Sequence, residues 1–550
     1  MAKEKTNRKQ HVVTPGSVTK ETEEKKKITV RVPVLPLFFV AVLAWAAFYY
    51  GSVFHLSREY SFWVPDTRQL DYILSCSFGS LRYIGRALLM TFKYPLLGGF
   101  VMAAMLTLGT WLIGYCWRLK AKWRAIQYLP ALAYMGTVTF YGLDIFFETE
   151  AGYIMGIPFL VLLVLIIWGV MIRSFSKKKV PALIGIPGDE TQRDNLIQLA
   201  VCVLGFAAIV TFNEIERPYV RVITQLSSME QEQDWEGIQK VARSHAYQSN
   251  RPMACMYAIA LVHTDQIAYR MYDIRLDYDS LYLHGIDGGH NNASNMYIPE
   301  GSYHGGFVET CMHSCMEQMV VEGPTLRLMK LYIKSALMRG EWELCRKYLR
   351  ILSDVPFEGA FCKKYGAMVG NDSLVNADPE MAKIRLTEPL HDSFESMYQQ
   401  PTFMGYNLML VEGRSINALY NSLCVCLYTK LMPSFMQRLE PILGTTPPDI
   451  IADGILLSST KNPGLEKNFT GLDMRVPRIQ SFLNNVQPYM SDRPGHAYEL
   501  FGKYKGYYPY YYFFGNLKAT KKGYTGLSTS NSGVNHFPSF AAWTPTSLPK

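Results

Sequence analysis

The sequence predicts a mostly α protein in two unlike halves: an N-terminal transmembrane helix bundle of about five helices, then an irregular α-solenoid of tetratricopeptide-like helix pairs. Three observations carry this. Apolar runs crowd into residues 34–213, whereas the remainder alternates charge and hydrophobe. Basic residues collect in alternate loops between those runs. The stretch Thr325–Ser353 has the pattern of two amphipathic helices joined at Arg339-Gly340. The chain has 550 residues and a 49% hydrophobic content, an ordinary average that conceals the division.

Residues 1–31 form a basic tail with only four glutamates, too polar to offset its ordering entropy, so disorder is expected there. Val34–Phe54 follows without a cleavage pattern and reads as an uncleaved signal anchor. A membrane core of ~30 Å takes about 20 mostly apolar helical residues. Besides the anchor, Pro95–Trp117, Ile126–Ile145, Tyr153–Ile172 and Leu196–Phe212 come close to that length, the last being the shortest. Together they place the bundle at residues 32–216.

Orientation follows from the loops, because Lys and Arg accumulate on the cytoplasmic side. Arg118, Lys120, Lys122 and Arg124 separate the second and third segments, and Arg173, Lys177, Lys178 and Lys179 follow the fourth. The loop opposite carries Asp144, Glu148 and Glu150 and no base. The tail is therefore expected in the cytoplasm. Five crossings then put the body, residues 217–527, outside the cytoplasm. This accounts for the net charge of +9 better than nucleic-acid binding does, so nucleic acid is not an expected partner. The lipid bilayer is. Gln69–Ile84 reads as an interfacial helix with Tyr72, Ile73 and Tyr83 toward lipid and Arg82 and Arg86 toward headgroups. Lys93, at a membrane edge, is placed to snorkel. No segment carries a charge at mid-membrane, which argues against a coupled transporter.

In the body, Leu326, Met329, Ile333, Ala336 and Leu337 share one helical face, and Leu344, Cys345, Tyr348, Leu349 and Leu352 share another. Gly340 suits the left-handed turn between them. Asp234-Trp235-Glu236 with Lys240 and Arg243 repeats Glu341-Trp342-Glu343 with Lys347 and Arg350 at identical offsets, 107 positions apart. That separation is roughly three tetratricopeptide units. Further helices are expected at Tyr219–Gln231, Pro252–His263, Gly305–Val321, Pro379–Leu386, Asn417–Lys430, Ser434–Ile442 and Asp449–Leu457. Tyr269–Tyr303 reads as a long loop, and residues 528–550 as a loosely held tail.

The run Arg339-Gly340-Glu341-Trp342-Glu343-Leu344-Cys345-Arg346-Lys347-Tyr348-Leu349, with Pro356-Phe357 and Lys363-Lys364-Tyr365, resembles an uncharacterised membrane-protein family of Bacteroidota. Its members join an N-terminal transmembrane bundle to a tetratricopeptide-like region. The resemblance implies an inner-membrane protein with a periplasmic helical domain; the family has no assigned activity, so it supplies no catalytic residues to carry over. Cys345 stands where such a hairpin usually has Ala.

Candidate chemistry is sparse. His284, His290, His304, Cys311, His313 and Cys315 cluster in sequence, and zinc takes four such ligands. Cys311 and Cys315 can converge on one helix face with His304 or His290, but no spacing matches a zinc module, and packed cysteines with surface histidines are the preferred reading. Seven cysteines fall in the body, an odd number, most of them at apolar helix positions, so at most one or two disulfides are expected. Gly-x-Ser-x-Gly, His-Glu-x-x-His and phosphate-loop motifs are all absent, and no catalytic residue or cofactor is assigned. Gly301–Gly306 reads as a glycine-rich helix entry. The candidate interaction surface comprises Trp235, Trp342, Tyr507, Tyr508 and Tyr511, although packing of the last helix is the plainer account of the tyrosines. The expected function is a membrane-anchored platform for an envelope protein partner. The alternative is an envelope enzyme acting on a glycan or lipid-linked substrate near His284–His304.

Overall fold

The computed structural model describes residues 32–142, 150–175, 191–247, 251–276, 298–321, 323–388, 415–430 and 432–515, and among these it is all helical, without a strand. The expectations for the basic tail, for Asp144, Glu148, His284 and His290, and for residues 528–550 concern positions outside the described residues.

Three helices are long and apolar enough to cross a membrane: α5 (Pro95–Cys116), α7 (Tyr153–Phe175) and α8 (Gln192–Glu216). A fourth candidate is broken. Here α1 (Val34–Ala44) runs into a π-helical turn at Trp45–Tyr49, and α2 (Gly51–Glu59) leaves it at 60°. The wider turn is a recognised cause of such kinks. The described part of the expected crossing at Ile126–Ile145 is a 3-10 stretch, Ala121–Tyr128, and α6 (Leu129–Tyr141); residues 143–145 fall outside the described residues. Its 13 α-helical residues reach only about 20 Å. The described count is thus three or four, against the five expected.

Paired contacts fix the helix directions. At one end of α1, the Val32 amide donates to Asn195 Oδ1 (3.3 Å) and Asn195 Nδ2 donates to Val32 O (2.9 Å). At the other, the Tyr49 hydroxyl donates to Glu214 (2.7 Å) and Asn213 donates to Tyr49 Oη (3.2 Å). The first and last apolar helices therefore run side by side in the same direction. α6 runs with them, Leu132 lying over Gly205 and Gly136 over Ile209. α5 runs against α1, with Pro95 at Gly51 and Gly99 at Ala47.

The expected interfacial helix is two helices, α3 (Thr67–Ser75) and α4 (Gly79–Leu89), broken where Phe78 takes a left-handed conformation (φ 55°). Tyr72 is exposed as expected, but Ile73 is buried. Arg86 grips Glu150 with two nitrogens (2.6 and 2.8 Å) and Arg82 adds a third contact (3.0 Å), so these bases tie α4 to the start of α7 instead of meeting headgroups.

The body begins with α9 (Pro218–Gln231), α10 (Trp235–Ser244) and α11 (Arg251–His263). Next come α12 (Ile298–His304), α13 (Val308–Val321), α14 (Leu326–Arg339) and α15 (Trp342–Ser353). The helix expected over Gly305–Val321 begins only at Val308, and Ile298–His304, expected to lie in a loop, is a separate helix, with Gly306 at φ 92° between the two. The predicted hairpin is present: Thr325 caps α14 by accepting from the Leu328 amide, and Gly340 closes it at φ 73°. The repeated Asp-Trp-Glu and Glu-Trp-Glu motifs both open second helices of hairpins. Gln233 (φ 59°) stands where Gly340 does, and the Asp234 and Glu341 amides each donate to a carbonyl five residues back.

Short helices α16 (Gly359–Gly366), α17 (Asp372–Ala377) and α18 (Pro379–Thr387) complete one core, which includes Phe62, Val64, Tyr303, Leu337, Cys345 and Met381. The remaining helices are α19 (Ile416–Thr429), α20 (Met432–Gln437), α21 (Asp449–Ser459), α22 (Val476–Val486), α23 (Arg493–Tyr504) and α24 (Tyr508–Phe514). They pack against the short helix Ile267–Arg270 that follows α11, and their core is continuous with the bundle's, from Phe38 and Phe54 through Tyr257 to Ile455 and Tyr508. Contacts of Tyr247 with Tyr498 and of Tyr272 with Tyr508 and Tyr511 go beyond the nearest-neighbour packing of a simple solenoid.

Candidate functional site

The polar residues that converge lie inside the body, along α14. Arg327, Lys330 and Lys334 fall on one face of this helix. Leu328, Leu331 and Tyr332 bury the rest of its circumference, so these bases have little solvent access. Each meets carboxylates carried by other elements. Lys330 Nζ lies 2.9 and 3.0 Å from the Glu59 oxygens and 3.1 Å from Glu358. Arg58 pairs with Glu59 (2.5 Å) and with Glu358, and donates to Pro356 O (3.3 Å). Lys93 completes this group at 3.8 Å from Glu358, turning toward the body instead of toward lipid headgroups. Lys334 holds both oxygens of Glu380 (2.9 and 3.0 Å), which also accepts from Gln233. Arg327 pairs with Glu300 beneath the Tyr60 ring.

Five cations (Arg58, Lys93, Arg327, Lys330 and Lys334) thus stand against Glu59, Glu300, Glu358 and Glu380, with Glu230 close by. Arg58, Glu59 and Glu358 are essentially without solvent contact. Burial pushes the Glu59 carboxyl up, but Lys330 and Arg58 outweigh it and hold the group well below the usual carboxylate range. Because the partners come from α2, the turn before α5, α12, α14, the turn after α15 and α18, the charges register the body against α2. Buried ion pairs are weak sources of net stability, and fixing one arrangement is their better-attested use.

A second array adjoins this one. His304 Nε2 lies 3.1 Å from Glu230, and its Nδ1 lies 2.8 Å from His263 Nε2. Trp235 stacks flat on the His263 ring at 4.0 Å. Burial, reinforced by His304 and two lysines, pushes His263 down to about 2, so the ring is neutral. Two expected site residues, His304 and Trp235, are therefore brought together, along with His263 and Glu230, which sequence reasoning did not single out. His304 does not reach the expected cysteines. Cys311 and Cys315 lie 3.9 Å apart, buried beside Ser335, and all ten cysteines are free thiols. Among the described residues no group of three or more His, Cys, Asp or Glu is arranged to hold a metal.

The candidate surface residues divide. Trp235 and Trp342 are half-buried. Tyr507, Tyr508 and Tyr511 lie inside the body, where Tyr511 donates to Tyr428 O (2.9 Å) and Tyr508 to Leu427 O (3.4 Å). These three rings are core, not surface.

A family model, described as a family of unknown function (DUF6057), matches residues 139–515. The chain belongs to DUF6057. The match begins within α6 and takes in α7, α8 and the whole described body, so Lys330 and Glu358 fall inside it while Arg58, Glu59 and Lys93 precede it. No curated protein and no solved structure matches the chain.

Proposed function

We propose that this DUF6057 chain is a multi-pass inner-membrane protein that mounts a tetratricopeptide-like helical body rigidly in the periplasm as a platform for a protein partner. The reading rests chiefly on the ionic group of Arg58, Glu59, Lys330 and Glu358, which locks the body to the helix emerging from the membrane. The shared direction of α1 and α8 supports an odd number of crossings, and the basic loops support a cytoplasmic tail. Photo-cross-linking from exposed positions on α15, such as Arg346, in native membranes tests it. The platform account expects one partner to be captured repeatedly, and captured less when Glu59 is replaced.

The enzyme reading retains one specific observation, the Glu230–His304–His263 array. His304 is 1% exposed, however, which suits a structural role better than contact with a glycan or lipid-linked substrate. Activity on envelope material that disappears in His304→Asn, with stability unchanged, would favour the enzyme.

A further inference from the structure

A cavity of about 190 Å³ opens on the body between α22 and α23. Arg478, Lys503 and Lys505 line it, and no carboxylate does. None of these three bases forms an ion pair among the described residues. The Arg478 guanidinium lies on the face of the Tyr507 ring, 4.3 Å from its centre. Phe482 meets Tyr504 and Tyr507 edge-on at 4.9 and 5.4 Å and forms an apolar floor. The Tyr507 ring is 3% exposed, and its hydroxyl, like that of Tyr504, is buried without a hydrogen-bond partner. Ser481 and Asn485 add neutral polar groups at the rim. Two carboxylates lie behind this lining: Asp453, paired with Arg475 at 2.8 Å and also in the field of Arg478, and Asp273, in the field of Arg243, Arg270 and Lys505.

We infer that this cavity is a binding site for a phosphate group, with Arg478, Lys503 and Lys505 supplying the charge and the Phe482 and Tyr507 rings its apolar floor. Three cations around one small cavity favour a dianion over a carboxylate, and charge-assisted bonds from Arg suit phosphate oxygens. Such a group occurs on soluble phosphate esters and on lipid headgroups.

The test uses the full chain in uncharged detergent and in phosphatidylcholine nanodiscs. Inorganic phosphate and glycerol 3-phosphate are titrated by calorimetry at constant ionic strength, with chloride as control. Nanodiscs containing phosphatidate form the second arm, read as a shift in melting temperature. Arg478 and Lys505 are exposed, so Arg478→Gln and Lys505→Gln are expected to melt like the parent in phosphate-free buffer. Each should weaken binding about tenfold, from the loss of one charge-assisted hydrogen bond. Binding of free phosphate that these variants weaken supports a soluble ligand. A phosphatidate shift alone, lost in Arg478→Gln, supports a lipid headgroup. Absence of both effects, or equal binding by parent and variants, overturns the site.

Discussion

Replacing Glu59 by alanine leaves Arg58 and Lys330 sharing Glu358 as their one close carboxylate. Arg58 has no solvent contact and Lys330 is only 14% exposed, so water cannot take the place of the missing group. Removing one partner of a buried ion pair typically costs about 3–5 kcal/mol. At roughly 2 °C per kcal/mol for a large domain, the melting temperature should fall on the order of 6–10 °C. The chain carries its own reporters, because Cys311, Cys315 and Cys345 are buried free thiols that a thiol-reactive dye meets only on unfolding. Arg346→Gln is the control, since it breaks only the exposed Arg346–Glu343 pair, a kind worth about 0–1 kcal/mol. Combining Glu59→Leu with Lys330→Met removes opposite charges together and should recover at least half of the loss. If Glu59→Ala melts within about 1 °C of Arg346→Gln, the charges do not register body and bundle, and the reasoning fails.

Other outcomes follow from the same structure. Folding holds His263 neutral, at about 2 against an ordinary 6.5, so stability is complete above pH 6.5 and declines as acid protonates the unfolded chain. At pH 5 this one group should cost about 2 kcal/mol, and His263→Gln should flatten that part of a melting-temperature profile. Asp453 has the opposite sign: burial lifts it to about 6 despite Arg475, so its contribution is lost as pH rises from about 4 to 6. Asp453→Asn should remove that slope. Gly340→Ala, at φ 73° with nothing nearer than the Trp342 ring at 3.6 Å, should cost about 1 kcal/mol by backbone strain alone in the same melting assay. Gly85→Val should abolish folding, read as loss of a monodisperse detergent peak, because even a Cβ there would lie 1.9 Å from Gly152 O.

The sequence was most legible where periodicity and turn chemistry agreed. The Thr325–Ser353 hairpin lies within a residue of its predicted bounds because its apolar spacing and Gly340 agreed. The motif echo at Trp235 also falls at a helix start, although no helix was expected over Trp235–Ser244. Charge was harder to read. Arg327, Lys330 and Lys334 look like a solvated stripe until Leu328, Leu331 and Tyr332 are seen to occupy the remaining face. An all-round apolar helix is a central one, and that was the available signal. The partners were not foreseeable, since Glu59 and Lys330 lie far apart in sequence. Tyr507, Tyr508 and Tyr511 show that aromatic density alone does not separate a binding face from a core.

The account stands or falls on the tail and the body lying on opposite sides of the membrane. Paired reporters test this most directly, one active only when secreted and one fluorescent only in the cytoplasm, each fused in turn to the N-terminus and after Gly515. Cytoplasmic signal at the N-terminus with secreted activity after Gly515 is the predicted result. The same compartment at both positions would contradict it.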